Sequence, residues 1–159
     1  MHRTRIAVAV AVAVAATITS TWAIASANAS VHPAARESGP AHLHSHHGKL
    51  GTYLEDARGH ALYEFKHDKH GKSSCYSPCS TYWPPLLTHG KPVAGHGVSA
   101  RKLGTVKRKD GTRQVTYNGR PLYTYTLDTK ANQTKGEGST SFGGEWYVMG
   151  AKGKALDGD

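Results

Sequence analysis

Leu62-Tyr63-Glu64-Phe65-Lys66-His67-Asp68 is written twice in this chain, the second time 60 positions later as Leu122-Tyr123-Thr124-Tyr125-Thr126-Leu127-Asp128. Both copies read Leu-Tyr-x-aromatic-x-x-Asp. Both stand three residues after a glycine (Gly59, Gly119), and both are followed, after a loop, by a tryptophan (Trp83, Trp146). An internal repeat sets the architecture before any other feature is weighed. Within 60–67 the period of two puts Ala61, Tyr63 and Phe65 on one side of a strand and Leu62, Glu64 and Lys66 on the other. Asp68 ends the strand, where its carboxylate accepts backbone N–H groups of the next turn. The equivalent placement of Asp68 and Asp128 argues for the same capping role in both copies rather than for paired acid–base carboxylates.

Outward from the first copy, 50–54 reads as a strand and Asp56-Ala57-Arg58-Gly59 as the turn of a hairpin, with Gly59 free to take positive φ. After a loop at 69–82 comes Trp83-Pro84-Pro85-Leu86-Leu87. Its prolines argue against a central strand or a helix interior, so the cluster is expected to pack down as an apolar lid. Around the second copy, Asp110-Gly111 and Asn118-Gly119 are favoured two-residue hairpin turns. They predict a three-strand meander over 103–109, 112–117 and 120–127. Counting from the turns aligns Val106, Val115 and Leu122 in one row, sets Gln114 beside Tyr123 and Thr112 beside Tyr125, and opposes Arg108 to Arg113. That like-charge pair costs energy unless an anion lies between the two. Leu103-Gly104-Thr105 echoes Leu50-Gly51-Thr52, which makes one strand of the meander an addition peculiar to the second copy. Residues 142–149 read as a closing strand. The expected fold is mainly β: two related antiparallel units, a hairpin and a meander, in one small domain at 49–150. The first repeat takes 49–87, a linker 88–100 and the second repeat 101–150, with a flexible tail at 151–159.

The N-terminus, 1–29, has the basic start, apolar middle and small-residue ending (Ala27-Asn28-Ala29) of a cleaved signal peptide. A retained anchor is the alternative, but the apolar run is shorter than the ~18 residues of a spanning helix. Export as a soluble protein follows, with membrane contact only through this segment before cleavage. Residues 30–48 carry prolines and five histidines without apolar periodicity, and are read as a disordered linker. His42, His44, His46 and His47 supply imidazoles suited to copper, nickel or zinc; otherwise they form a solvated tail. Cys75 and Cys79, the only cysteines, are most simply a disulfide in an oxidising compartment. The rival is a thiolate pair that joins His67 and His70 as ligands for zinc or Cu(I).

The formal charge of +9 directs such an exported protein towards polyanions. Arg101, Lys102, Lys107, Arg108, Lys109 and Arg113 are the densest basic group. An anionic cell-wall polymer or envelope protein is the expected partner rather than nucleic acid, which an exported protein rarely meets. No catalytic pattern is present. Gly97-Val98-Ser99-Ala100-Arg101 lacks the final glycine of a nucleophile elbow. Gly136-Glu137-Gly138-Ser139-Thr140-Ser141 lacks the third glycine of a dinucleotide loop. The functional expectation is a non-enzymatic binding module for an anionic wall component. The alternative is a copper- or zinc-handling or redox-linked protein that uses the histidines.

The duplicated Tyr-x-aromatic-x-x-Asp element (Tyr63/Phe65/Asp68 and Tyr123/Tyr125/Asp128) occurs with further motifs. These are Cys75-x-x-x-Cys79 before Trp83-Pro84-Pro85-Leu86, then Asp110-Gly111, Val115-Thr116-Tyr117-Asn118-Gly119-Arg120-Pro121-Leu122-Tyr123 and Gly144-x-Trp146-Tyr147-Val148. The combination resembles a bacterial secreted-repeat family of predicted lipoproteins of unknown function, over about residues 50–149. The resemblance implies an exported envelope protein built from two copies of a small β unit, and supplies no catalytic residues. The chain departs from the lipoprotein pattern in lacking a cysteine before Cys75, and its histidines at 42–47, 67 and 70 lie outside the motif.

Overall fold

Asn118 and Gly119 both take positive φ (49° and 77°), the requirement of a type I′ turn, and they join β6 (Arg113–Tyr117) to β7 (Arg120–Pro121). Tyr117 faces Arg120 and Thr116 faces Pro121 in the register counted from this turn. The computed structural model that shows this describes residues 39–157. The expected signal peptide, residues 30–38 of the linker and the last two residues of the tail lie outside them. Within them the fold is mainly β, as expected. Sheets run in the orders β2-β1-β4, β3-β8 and β5-β6-β7, where β1 is His42–Gly48, β2 Gly51–Asp56, β3 Tyr63–Phe65, β4 Val93–Ala94, β5 Leu103–Lys107 and β8 Trp146–Val148.

The other predicted turn resolves differently. Arg108 N–H donates to Thr112 O, and Gly111 N–H donates to Arg108 O with Gly111 at φ 83°. This is a three-residue loop ending in a left-handed glycine rather than a two-residue turn. The pairing of β5 with β6 therefore slips by one: Thr105 faces Val115, Val106 faces Gln114 and Lys107 faces Arg113. The predicted Val106–Val115 and Arg108–Arg113 pairs are thereby corrected. β7 also ends early. Tyr123 leaves it to pair with Tyr63, so it does not run on beside Thr112 and Gln114.

The histidine-rich segment is not disordered over its described part. Residues 42–48 form β1, antiparallel to β2 with Leu43 opposite Asp56 and Gly48 opposite Gly51. Leu43 is buried. One buried leucine among histidines leaves no hydrophobic period to read, and pairing on both sides supplies the order that composition does not. The 88–100 linker contains β4, which runs parallel to β1. In the tail, Leu156 N–H donates to Val148 O and Met149 bridges Ala155. The proline-rich segment does pair with the sheet: Leu86 N–H donates to Leu122 O, and Thr88 N–H to Arg113 O. Pro84 and Pro85 stand where no donor is needed.

β1 also removes the supposed asymmetry between the copies. Ser45 faces Leu54 as Thr105 faces Val115, so β1-β2 and β5-β6 are equivalent ribbons. The bonds that follow match one for one. Leu62 N–H donates to Leu54 O as Leu122 N–H donates to Val115 O. Met149 N–H donates to Leu62 O as Leu86 N–H donates to Leu122 O, and Leu54 N–H to Met149 O as Val115 N–H to Leu86 O. Each copy thus lends its closing segment to the other copy's ribbon. Two cores result, one on either face of the crossing. Leu43, Leu54, Leu62, Leu86, Val115, Leu122 and Met149 fill one; Tyr63, Phe65, Trp83, Tyr123 and Trp146 fill the other. The alternation expected in 60–67 holds, and both of its faces are buried.

Candidate functional site

Tyr63 and Tyr123 lie opposite each other, each amide donating to the other's carbonyl at 2.8 and 3.0 Å. A pseudo-twofold axis passes between them. The Tyr63 hydroxyl donates to Asp128 Oδ2 at 2.5 Å, and the Tyr123 hydroxyl donates to Asp68 Oδ2 at 2.7 Å. The rings are exchanged in the same way. Phe65 stacks on Trp146 at 4.0 Å, Tyr125 stacks on Trp83 at 4.1 Å, and the two indoles stack on each other at 3.9 Å with 7° between planes. Trp83 Nε1–H donates to Ser141 Oγ and Trp146 Nε1–H to Ser141 O. Gly136 lies so close beneath that a Cβ would stand 2.6 Å from Trp83 Cη2. The expected capping role is present too. Asp68 Oδ1 accepts from the Ser74 amide (2.7 Å) and Asp128 Oδ1 from the Lys135 amide (2.9 Å). Burial raises both carboxyls above the usual aspartate value and pushes both phenols well above theirs. Every carboxylate oxygen here has a partner, and the four rings stack in one column from Phe65 through Trp146 and Trp83 to Tyr125. The motif works as an architectural centre.

Cys75 and Cys79 are joined in a disulfide beside Trp83. Both sulfurs are consumed, so the four-ligand set with His67 and His70 does not form. His67 packs over Phe65, with ring centroids 5.6 Å apart, and His70 sits at φ 52° in a tight turn. Strand alternation sends His42, His44 and His46 to one face of β1 and His47 to the other. His44 Nε2 lies 3.4 Å from Glu55 Oε2, and His46 packs against the Tyr53 ring. Burial raises the Glu55 carboxyl and, with Glu55 beside it, lifts the Tyr53 phenol to about 12. Among the described residues no three His, Cys, Asp or Glu side chains are grouped to hold a metal ion.

The six basic residues divide. Arg108 is buried, 4 % exposed. Its guanidinium donates to Gln114 Oε1 (2.7 Å), Cys75 O (2.8 Å) and Ser73 Oγ, lies 3.4 Å from Asp110 Oδ2, and rests 4.4 Å from the Tyr76 ring centroid. It is a core residue and leaves the anion-binding set. Lys109 Nζ also lies over this ring, 5.7 Å from its centroid, and Lys102 Nζ donates to Lys152 O. Lys107 and Arg113 are exposed and directly opposed in register. The like-charge opposition inferred for Arg108 falls on this pair instead. Arg113 lines two adjoining clefts of about 410 and 500 Å³. Across the first stands Lys91, with Thr105 on the near wall; the second adds His89, Thr112 and Asp110, whose carboxylate is paired with Arg108. Lys91 and His89 lie in the segment that the sequence reads as a linker. Their only sequence signal was further positive or titratable character among glycines and a proline, and the chain reversal through β4 is what brings them alongside β5.

No curated protein and no solved structure matches the chain. The sequence model of one family, described as a secreted repeat of unknown function, matches twice, at residues 46–87 and 104–149. The two matches coincide with the two halves related by the Tyr63–Tyr123 axis, apart from the start of β1, which the first match enters at His46. No helix among the described residues is long and apolar enough to cross a membrane. The chain belongs to this family of secreted repeats, and it carries two copies whose closing segments are exchanged.

Proposed function

We propose that this protein is a non-enzymatic binding module of the cell envelope that retains an anionic component in the cationic clefts of its second repeat. The observation that carries the reading is the opposition of Lys107 and Arg113 on neighbouring strands, with Arg113 sharing the first cleft with Lys91. Side chains directly opposite on a ribbon approach to about 5 Å at Cβ, and like charges there are destabilising. A bound anion removes that repulsion and gains two or three charge-assisted hydrogen bonds. Thr105 adds a hydroxyl that accepts from Arg113 Nη1 and keeps its own proton for a ligand. Membership of a family described as secreted supports the reading, since wall polyanions are abundant charged surfaces outside the cell. The metal-handling alternative has less to draw on, since His44 is engaged by Glu55 and His46 by Tyr53.

The test is co-sedimentation with purified envelope from the native host over a salt series. Lys91→Glu/Lys107→Glu/Arg113→Glu is expected to weaken association at least tenfold, and the wild-type association to fall with salt. Equal association of the two proteins at all salt concentrations would overturn the reading.

A further inference from the structure

The pseudo-twofold relation equates β5 with β1, but the two strands are not finished alike. The outer edge of β1 is covered by the chain itself: Val93 N–H donates to Ala41 O, Gly95 N–H to Leu43 O, and Ser45 N–H to His96 O. Among the described residues nothing covers the outer edge of β5. Arg108 and Thr112, and Lys102 and Asn118, are joined by ladder bonds, so by the alternation of an antiparallel pair Leu103, Thr105 and Lys107 turn their backbone groups away from β6. The Leu103 amide closes the preceding turn on Ala100 O. Leu103 O, and both backbone groups of Thr105 and Lys107, have no hydrogen-bond partner among the described residues. Leu103 O and Thr105 N–H are the counterparts of Leu43 O and Ser45 N–H, the two groups that β4 and its continuation satisfy on β1. Natural sheets blunt such edges with proline, bulges or inward charges. Residues 103–106, Leu-Gly-Thr-Val, carry none of these.

We propose that the β5 edge receives an extended acidic polypeptide segment, which adds as a parallel strand in the place that β4 takes on β1. Resting on the cationic-cleft reading, this names the partner's class. The occupant's form comes from β4: an extended strand hydrogen-bonded through its main chain, the mode by which exposed sheet edges capture peptides. Its charge comes from the surroundings. Between residues 88 and 113 the chain has seven Lys and Arg and a single acid, Asp110, and Asp110 is paired with the buried Arg108. Arg101 and Lys107 stand at the two ends of β5, and Lys91 and Arg113 line the cleft beside it. Acidic side chains alternating along the incoming strand would meet Lys107 and Arg113 while its amides and carbonyls bond to Leu103, Thr105 and Lys107.

The experiment uses the full exported chain, ¹⁵N-labelled, with three probes: acetyl-(Glu-Val)₄-amide, the same peptide N-methylated at alternate residues, and inorganic polyphosphate. The first peptide is expected to slow hydrogen exchange of the Thr105 and Lys107 amides at least tenfold. The peptide methylated at the residues whose amides would face β5, of equal charge, is expected to give no such protection. Thr105→Pro removes the outward donor on an edge where proline is tolerated, and should abolish protection at Lys107. Because the methylated probe leaves the protein unaltered, the test stands even if that variant misfolds. Equal binding of the plain and methylated peptides would overturn strand addition and leave the cationic cleft standing. Polyphosphate binding without peptide binding would do the same. Binding of none of the probes would overturn both readings. Amide protection that rises with protein concentration alone would mean that a second copy covers the edge, and would also overturn the proposal.

Discussion

Tyr63 and Tyr123 each give their hydroxyl to the other copy's aspartate, so the two halves are joined by reciprocal hydrogen bonds at their centre. A buried hydrogen bond to a charged group is worth about 1.5–3 kcal/mol. Tyr63→Phe and Tyr123→Phe should each lower the unfolding free energy by that amount in urea titrations, and a loss below about 0.5 kcal/mol for either would contradict the geometry. Burial raises the Asp68 and Asp128 carboxyls above their unfolded value. The stability linked to each is therefore present in full below that unfolded value, about 3.9, and declines as pH rises through the higher folded one. Carboxyl ¹³C titration should find both midpoints above the unfolded value; midpoints below it would reverse the sign. Arg108 and Lys107 separate structure from binding. Arg108→Ala strands Gln114 Oε1 and Cys75 O in the core and should cost about 3 kcal/mol. Lys107→Ala, on the surface, should stay within about 0.5 kcal/mol. Similar losses for the two would mean that Arg108 is not the buried partner described.

At the scale of elements, β1 is the test of how far composition can mislead. A chain beginning at Gly39 keeps the strand and Leu43, whereas one beginning at Lys49 loses both and uncovers β2 and β4. The second chain is expected to lose cooperative thermal unfolding by circular dichroism. If it unfolds as sharply as the first, β1 is dispensable. Legibility here followed the strength of local constraint. Asn-Gly demands a turn with two positive φ values, so the β6–β7 register could be counted from the sequence. Asp-Gly accommodates a two- or a three-residue loop, and the choice rests with what the slip brings together. The longer loop sets Arg108 on the face of Gln114 and within reach of Ser73 and Cys75, and neither of these last two is local to the turn. β1 was hidden for a related reason: four of its seven residues are histidine, and its order comes from neighbours on both sides.

For the whole molecule, the exchange of closing segments means that neither copy holds its own core. Residues 39–100 alone lack Trp146 and Met149, and residues 101–157 alone lack Trp83 and Leu86. Each fragment should be unfolded by near-ultraviolet circular dichroism, and mixing them should restore the aromatic signal of the intact chain. A fragment that folds by itself would show the exchange to be incidental. The disulfide closes only a short loop, so the chain-entropy relation assigns its reduction a loss of about 2 kcal/mol. The reduced protein should remain folded, with a lower urea midpoint.

The sequence by itself determined the duplication, the β class, the β6–β7 register, the turn-capping aspartates and the concentration of positive charge in the second half. Each is written in neighbouring residues, through a period of two, a turn's φ requirement or a run of like charges. Only the tertiary structure decided that the copies are interleaved, that Arg108 is core while Lys107 and Arg113 form the exposed pair, that Lys91 stands across the cleft from Arg113, and that among the described residues β1 is covered on the edge where β5 is bare. Those outcomes depend on segments tens of residues apart meeting in space. The chain's local preferences are compatible with copies packed side by side. Exchange wins because it buries both faces of the Leu62–Tyr63 and Leu122–Tyr123 strands, and so places Tyr63, Tyr123, Trp83 and Trp146 together out of water.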